Sequence, residues 1–244
     1  MPTDHEPTAL PALSDRKALV ARLMEAGSRA PVVLAEAAAE GLAANAARYA
    51  ESVRGTDDVE VLVRRVISAH RTLARVHGAS AGAAVSFAEI TTVVGTAGTL
   101  TLPAAAVTLT GDIIGLAWIQ TRMTLIVAAL YGHDPRDPAR VKELLTFNGV
   151  YGTAPVTTVA NAASQAGRRV GKRLLVRYLR GETLQTLKLL FRLVGIRFGR
   201  AGLMRGLPLV NIPINAVVNE RVTAALGRKA AGYYRTLPAP SRER

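Results

Sequence analysis

The chain has 244 residues, 31 Lys and Arg against 18 Asp and Glu, a formal net charge of +13, and no cysteine. The missing cysteine excludes disulfide frameworks, zinc ribbons, iron–sulfur clusters and thiolate nucleophiles. A composition 49% hydrophobic and 20% charged excludes a disordered chain.

Residues 1–13 form a polar, Pro-rich tail without expected order. Asp4 and Glu6 stand where the basic start of an export signal would lie, so a cytoplasmic protein is expected. Ser14 suits the cap of a first helix over 14–24, with Gly27 marking its end. Pro31 suits the first turn of a second, Ala-rich helix over 32–53, closed by Gly55. Asp57 and Glu60 have capping-box spacing for a third helix reaching His77. It carries Val59, Leu62, Val66 and Leu73 on one side and Arg64, Arg71 and Arg75 on the other. The small residues of 78–98 predict a short helix between flexible ends. A long apolar helix is expected over 103–131, stopped at Gly132, and Asp137 with Pro138 opens another. Two basic helices, 156–180 and 183–198, follow Pro155. Pro208 and Pro213 interrupt the chain before a last helix over 214–234, and 236–244 reads as a second tail without order.

No stretch alternates polar and apolar residues as a half-buried strand does, and no repeat of solenoid length occurs. Few aromatics (5%) and abundant alanine fit closely packed helices. The expected fold is all-α: one bundle-like domain over 14–235 with a central apolar helical hairpin.

Between Glu89 and Asp112 lie 22 uncharged residues, enough for one membrane crossing. Seven of them are Thr, three are Gly, and Pro103 sits inside. Asp112 and Arg122 would each be costly in lipid, so a buried or membrane-dipping hairpin fits better than a plain span. Asn211, Asn215 and Asn219 recur every four residues along the last helix. Buried polar groups require partners. Asp112, Arg122, Asn211, Asn215 and Asn219 are therefore expected to meet in one internal polar cluster, either structural or anchoring a lipid-like ligand at the bottom of a pocket.

The charge is unevenly distributed. Residues 1–150 hold 14 basic and 15 acidic side chains, whereas 151–244 hold 17 basic ones and only Glu182, Glu220 and Glu243. A coding bias toward Arg explains Arg over Lys but not the loss of acids. Such an excess suits a polyanionic partner, an anionic membrane or nucleic acid. The candidate anion-binding residues are Arg168, Arg169, Lys172, Arg173, Arg177, Arg180, Lys188 and Arg192. Of these, Arg169, Lys172, Arg173 and Arg180 share one helical face, and outward-facing Leu189, Leu193 and Ile196 would add apolar insertion. Nucleic acid is the second reading, because the segment offers only Tyr178, Phe191 and Phe198 for stacking and no reader motif.

Catalytic motifs are weaker. Gly78-Ala79-Ser80-Ala81-Gly82 fits a nucleophile elbow, and Asp112 and His133 follow in hydrolase order. An elbow needs a strand before the serine, and a helix is expected there. Gly167-Arg168-Arg169-Val170-Gly171-Lys172 is one residue short of a P-loop and lacks the following Ser or Thr. His70 and His77 are seven apart, too far to share one metal, and read as core residues. His133 and Asp134 read as a loop whose Asp engages backbone amides, or as ligand recognition. Neither a metal nor a cofactor is expected, and a hydrolase with Ser80 as nucleophile is the third reading. Gly111/Gly115, Gly195/Gly199 and Gly202/Gly206 have the spacing of close helix approaches.

Several of these segments occur in a familiar order. Gly78 to Gly82 precedes Gly95-Thr96-Ala97-Gly98 and Pro103, then Asp112 inside an apolar helix, then Arg122. Tyr131-Gly132-His133-Asp134 ends that helix, and a Pro- and Asn-rich apolar segment over 207–219 precedes a basic C-terminal helix. Over residues 70–235 the chain resembles the EcsC family of bacterial proteins, named from a member encoded beside an ABC transporter. The resemblance implies a helical, cytoplasmic or membrane-associated protein without an established catalytic activity. It adds a membrane transporter or envelope protein as the expected partner. The leading expectation is thus a non-catalytic protein at the inner face of the cell membrane, docked on anionic lipid through its basic C-terminal half.

Overall fold

The computed structural model describes residues 13–94, 102–150, 189–190, 192–194 and 211–238. Among them six α-helices form and no strand does: α1 (Leu13–Ala26), α2 (Ala30–Ser52), α3 (Val59–Val94), α4 (Leu102–Leu130), α5 (Ala139–Phe147) and α6 (Asn211–Thr236). The all-α expectation holds. The expected helix over 156–180 and most of that over 183–198 lie outside the described residues.

Local chemistry sets the helix ends. Pro31 occupies the first turn of α2, where its missing N–H leaves no bond unmade. The cap of α3 is Asp58 rather than Asp57: its Oδ1 accepts the Glu60 amide at 2.8 Å, while Asp57 pairs with Arg65. The last turn of α4 closes as a Schellman motif, with Gly132 N–H bonded to Ala129 O and His133 N–H to Ala128 O, both at 3.0 Å. The motif needs a left-handed residue, and Gly132 supplies it at φ 90°. Asp137 Oδ1 accepts the Ala139 amide at 2.8 Å and so caps α5.

Two expectations about breakers fail. α3 runs on through Gly78 to Val94 instead of stopping at His77. Pro213 lies inside α6 rather than ahead of it, in the first described turn, where a proline costs little.

α4 is the centre. It packs against α2 on one side and against α3 and α6 on the other, with α1 over α2 and α5 beside α2 and α6. Its stretch Asp112–Leu130 is long and apolar enough to cross a membrane, yet 89% of it is buried inside the protein. Ile113, Leu116, Trp118, Met123, Leu125 and Ile126 are core residues. That apolar surface is already matched by protein, at roughly 25 cal/mol per Å² removed from water.

α3 and α6 are antiparallel neighbours. A Cβ on Gly78 would meet Asn215 O at 2.6 Å, and one on Gly227 would meet Ile67 at 2.8 Å. These glycines are notches that let two helices approach where any side chain would hold them apart.

Candidate functional site

The interior polar residues separate into two groups. At the α3–α4–α6 junction, His77 Nε2 lies 3.1 Å from Asp112 Oδ1 and 3.0 Å from the Asp112 carbonyl oxygen. Both neighbours are acceptors, so Nε2 carries the proton and donates. One turn along α4, Gly115 makes room for the imidazole, since a Cβ there would sit 2.4 Å from His77 Cε1. Beside His77, Gly78 faces the buried Asn215 and Asn219, with Asn219 Nδ2 2.7 Å from the position of a Cβ. Asp112, Asn215 and Asn219 thus gather around consecutive residues of α3. Asn211 lies at the described start of the same helix.

Arg122 is not part of this group, contrary to expectation. It stands ten residues, about 15 Å, further along α4, and its Nε donates to Asn45 Oδ1 on α2 at 3.2 Å. Half-burial lowers its pKa from the ordinary arginine value. The cluster's partner for Asp112 is His77, whose spacing from His70 predicts only a core residue. His70 does behave as core. It is buried, its Nδ1–H donates to Val66 O at 2.8 Å, and burial pushes its pKa down to about 4.

The serine motif does not assemble a triad. Ser80 is exposed on helical backbone and its hydroxyl donates to His77 O at 2.9 Å. Asp112 lies in the first half of α4 and His133 just past its C-terminal end, about 30 Å away at 1.5 Å per residue.

A second buried polar group escaped the sequence reading. Arg140, with its side chain 8% exposed, binds Glu143 at 2.7 Å and Asp137 at 3.2 Å. Its guanidinium lies 5.3 Å from the Tyr234 ring centroid. Tyr234 donates to Glu143 Oε2 at 2.5 Å and Tyr233 to Oε1 at 3.3 Å. Burial, and then the Glu143 bond, push the Tyr234 phenol far above its ordinary value. His133 packs on the same ring at 5.4 Å. Asp134, as expected for a loop, accepts the Arg136 amide at 2.9 Å. The available signal was the Arg140/Glu143 spacing on one helical turn. The group ties α5 and the α4 end to α6 without presenting a nucleophile or an open base. No set of metal-binding side chains occurs among the described residues.

Of the candidate anion-binding residues, Arg168, Arg169, Lys172, Arg173, Arg177, Arg180 and Lys188 lie outside the described residues. Arg192 is exposed, whereas Leu193 is buried with Leu190 and Val194. Leu193 therefore serves the core and is not an outward insertion residue. Gln120 Nε2 donates to Val194 O and Thr223 Oγ1, both at 3.3 Å, and holds this stretch to α6.

Basic residues missed as site candidates stand on α3 and α6. Arg64, Arg71 and Arg75 are exposed on α3; Arg221, Arg228, Lys229 and Arg235 are exposed on α6. Glu220 lies 3.5 Å from Arg71 and 3.6 Å from Arg75. Glu60 accepts Tyr131 Oη at 2.7 Å and Arg235 Nε at 2.9 Å, contacts that lower its pKa.

No model of a protein family matches this chain, and neither a curated protein nor a solved structure matches it.

Proposed function

We propose that this chain is a non-catalytic, peripheral membrane protein that docks on anionic lipid through its basic C-terminal half. The observation that carries the reading is the partition of charge. The last 94 residues hold 17 basic side chains against three acids. Within that half, α6 turns its apolar side into the core and Arg221, Arg228, Lys229 and Arg235 outward. Each Lys or Arg beside an anionic leaflet contributes about 1 kcal/mol. The helical spacing of Arg169, Lys172, Arg173 and Arg180 predicts a further basic face, and together these charges suffice for reversible docking without a spanning helix. The EcsC resemblance supports a site at the inner face of the cell membrane, beside a transporter or envelope protein.

The test is co-sedimentation with phosphatidylglycerol and phosphatidylcholine vesicles. Binding to the first only, weakened as salt shortens the reach of exposed charges, is the expected result. Reversing Arg169, Lys172, Arg173 and Arg180 to Glu together should reduce it strongly without unfolding the protein. A protein that ignores both vesicles and instead retards duplex DNA would replace this reading with the nucleic-acid one.

A further inference from the structure

We propose that the anionic-lipid docking face is composite, formed by two parallel rows of arginine, Arg64, Arg71 and Arg75 on α3 and Arg221, Arg228 and Arg235 on α6. The proposal rests on the membrane reading above and specifies its site. It draws half of that site from the part of the chain whose charges cancel.

The two rows face outward together. Residues seven apart return to the same face of a helix, and Arg221, Arg228 and Arg235 are spaced by seven, as are Arg64 and Arg71. Arg75 follows Arg71 by four. Seven residues rise about 10 Å, and neighbouring helices lie 8–10 Å apart. The arginines thus form a grid with steps of about 10 Å in both directions. Their order is matched because α3 and α6 are antiparallel, with Glu60 bound to Arg235 at one end and Gly78 against Asn215 at the other.

Few acids dilute the grid. Glu220 lies between Arg71 and Arg75, and Glu60 binds Arg235. Arg221 and Arg228 make no close ion pair among the described residues, and Arg64 senses Glu60 one turn before it without a direct ion pair. The opposite layer is mixed in sign: Glu25, Glu36, Glu40 and Glu51 are exposed there beside Arg22, Arg29 and Arg48, and α4 lies between α2 and the α3–α6 pair. A face with more bases than acids orients a protein toward a negative surface before contact.

The partner is a lipid leaflet rather than a nucleic acid. Single-strand binders alternate cations with stacking aromatics. The exposed aromatic of α6, Tyr233, is engaged with Glu143 and Phe147. Val217, exposed one turn before Arg221 on the same face, offers shallow apolar contact. Guanidinium groups bind phosphate oxygens in pairs, which suits Arg in these positions. All six reach one plane when both helix axes lie parallel to it. Tip-on approach would leave Arg64 about 16 Å behind Arg75, beyond the screening length of about 8 Å at physiological salt.

The test uses the full chain, phosphatidylglycerol vesicles, and two variants checked by circular dichroism. Arg64→Gln, Arg221→Gln and Arg228→Gln together break no ion pair among the described residues and should weaken binding on the order of a hundredfold. Glu220→Gln removes an acid from the face and should strengthen binding about fivefold. A folded triple variant that binds like wild type overturns the composite face. If the Arg169, Lys172, Arg173 and Arg180 reversal alone then abolishes binding, the membrane reading survives without it. A wild-type chain that binds no anionic vesicle overturns both.

Discussion

The imidazole of His77 occupies the space that a side chain at position 115 would need, with Cε1 2.4 Å from where a Cβ would stand. The contact fixes the ring against α4 and within reach of Asp112. Gly115→Ala gains about 1 kcal/mol of helix propensity but forces the ring away from its acceptors. The expected net result is a loss of about 1–2 kcal/mol, read from urea unfolding. In a His77→Ala background the obstruction is gone, and the same substitution should become stabilising. Equal losses in both backgrounds would show that the ring is not the obstacle.

Gly78→Ala should cost more, about 3 kcal/mol, because the nearest atom is the Asn215 carbonyl oxygen at 2.6 Å. A side chain can rotate aside; backbone moves only if α3 and α6 separate. Thermal unfolding of this variant should fall well below that of Gly115→Ala.

Asp112→Ala removes the carboxylate but leaves its backbone carbonyl 3.0 Å from His77 Nε2. The donor keeps an acceptor, so the loss should be about 1–2 kcal/mol. A buried arginine partner would have made it about 3–5 kcal/mol. Denaturant titration separates the two ranges.

Glu143→Ala is the harsher deletion. It takes from the buried Arg140 its nearer carboxylate and withdraws the acceptor from Tyr233 and Tyr234. The expected loss is about 3–5 kcal/mol, measured by chemical unfolding. Arg140 retains Asp137, which keeps the site from losing every carboxylate.

His70 predicts a pH dependence. Its pKa is about 4 in the folded protein against 6.5 ordinarily, chiefly from burial. Between these values the unfolded chain binds the extra proton, so stability rises with pH across the window and is lost as pH falls through it. The loss approaches about 3 kcal/mol near pH 4. His70→Gln should flatten the slope between pH 6.5 and 4.5, above the range where Glu60 and Asp137, both lowered, titrate. An unchanged slope in that variant would remove His70 as its source.

What the sequence determined by itself was local. Helical periodicity, Pro31 in a first turn, Gly132 at a stop and Asp137 at a start all depend on groups within a few residues of each other. Those groups meet whatever the rest of the chain does. The charge partition was equally legible, because it needs only counting. Tertiary structure decided what distant residues do together. Gly78 looked like a break and is a notch, because Asn215, 137 positions later, presses its backbone there. Asp112 and Arg122 looked like partners because both are charges on one apolar helix, yet the ten-residue offset points Arg122 at Asn45 and Asp112 at His77. Leu193 on a basic stretch could serve insertion only by facing outward, and it is buried. The arginines of α3 and α6 belong to halves of the chain with different net charge, and they form one face only because two glycine notches bring the helices side by side. Helix spacing shows which side chains share a face; the neighbour that face meets depends on the packing of the whole chain.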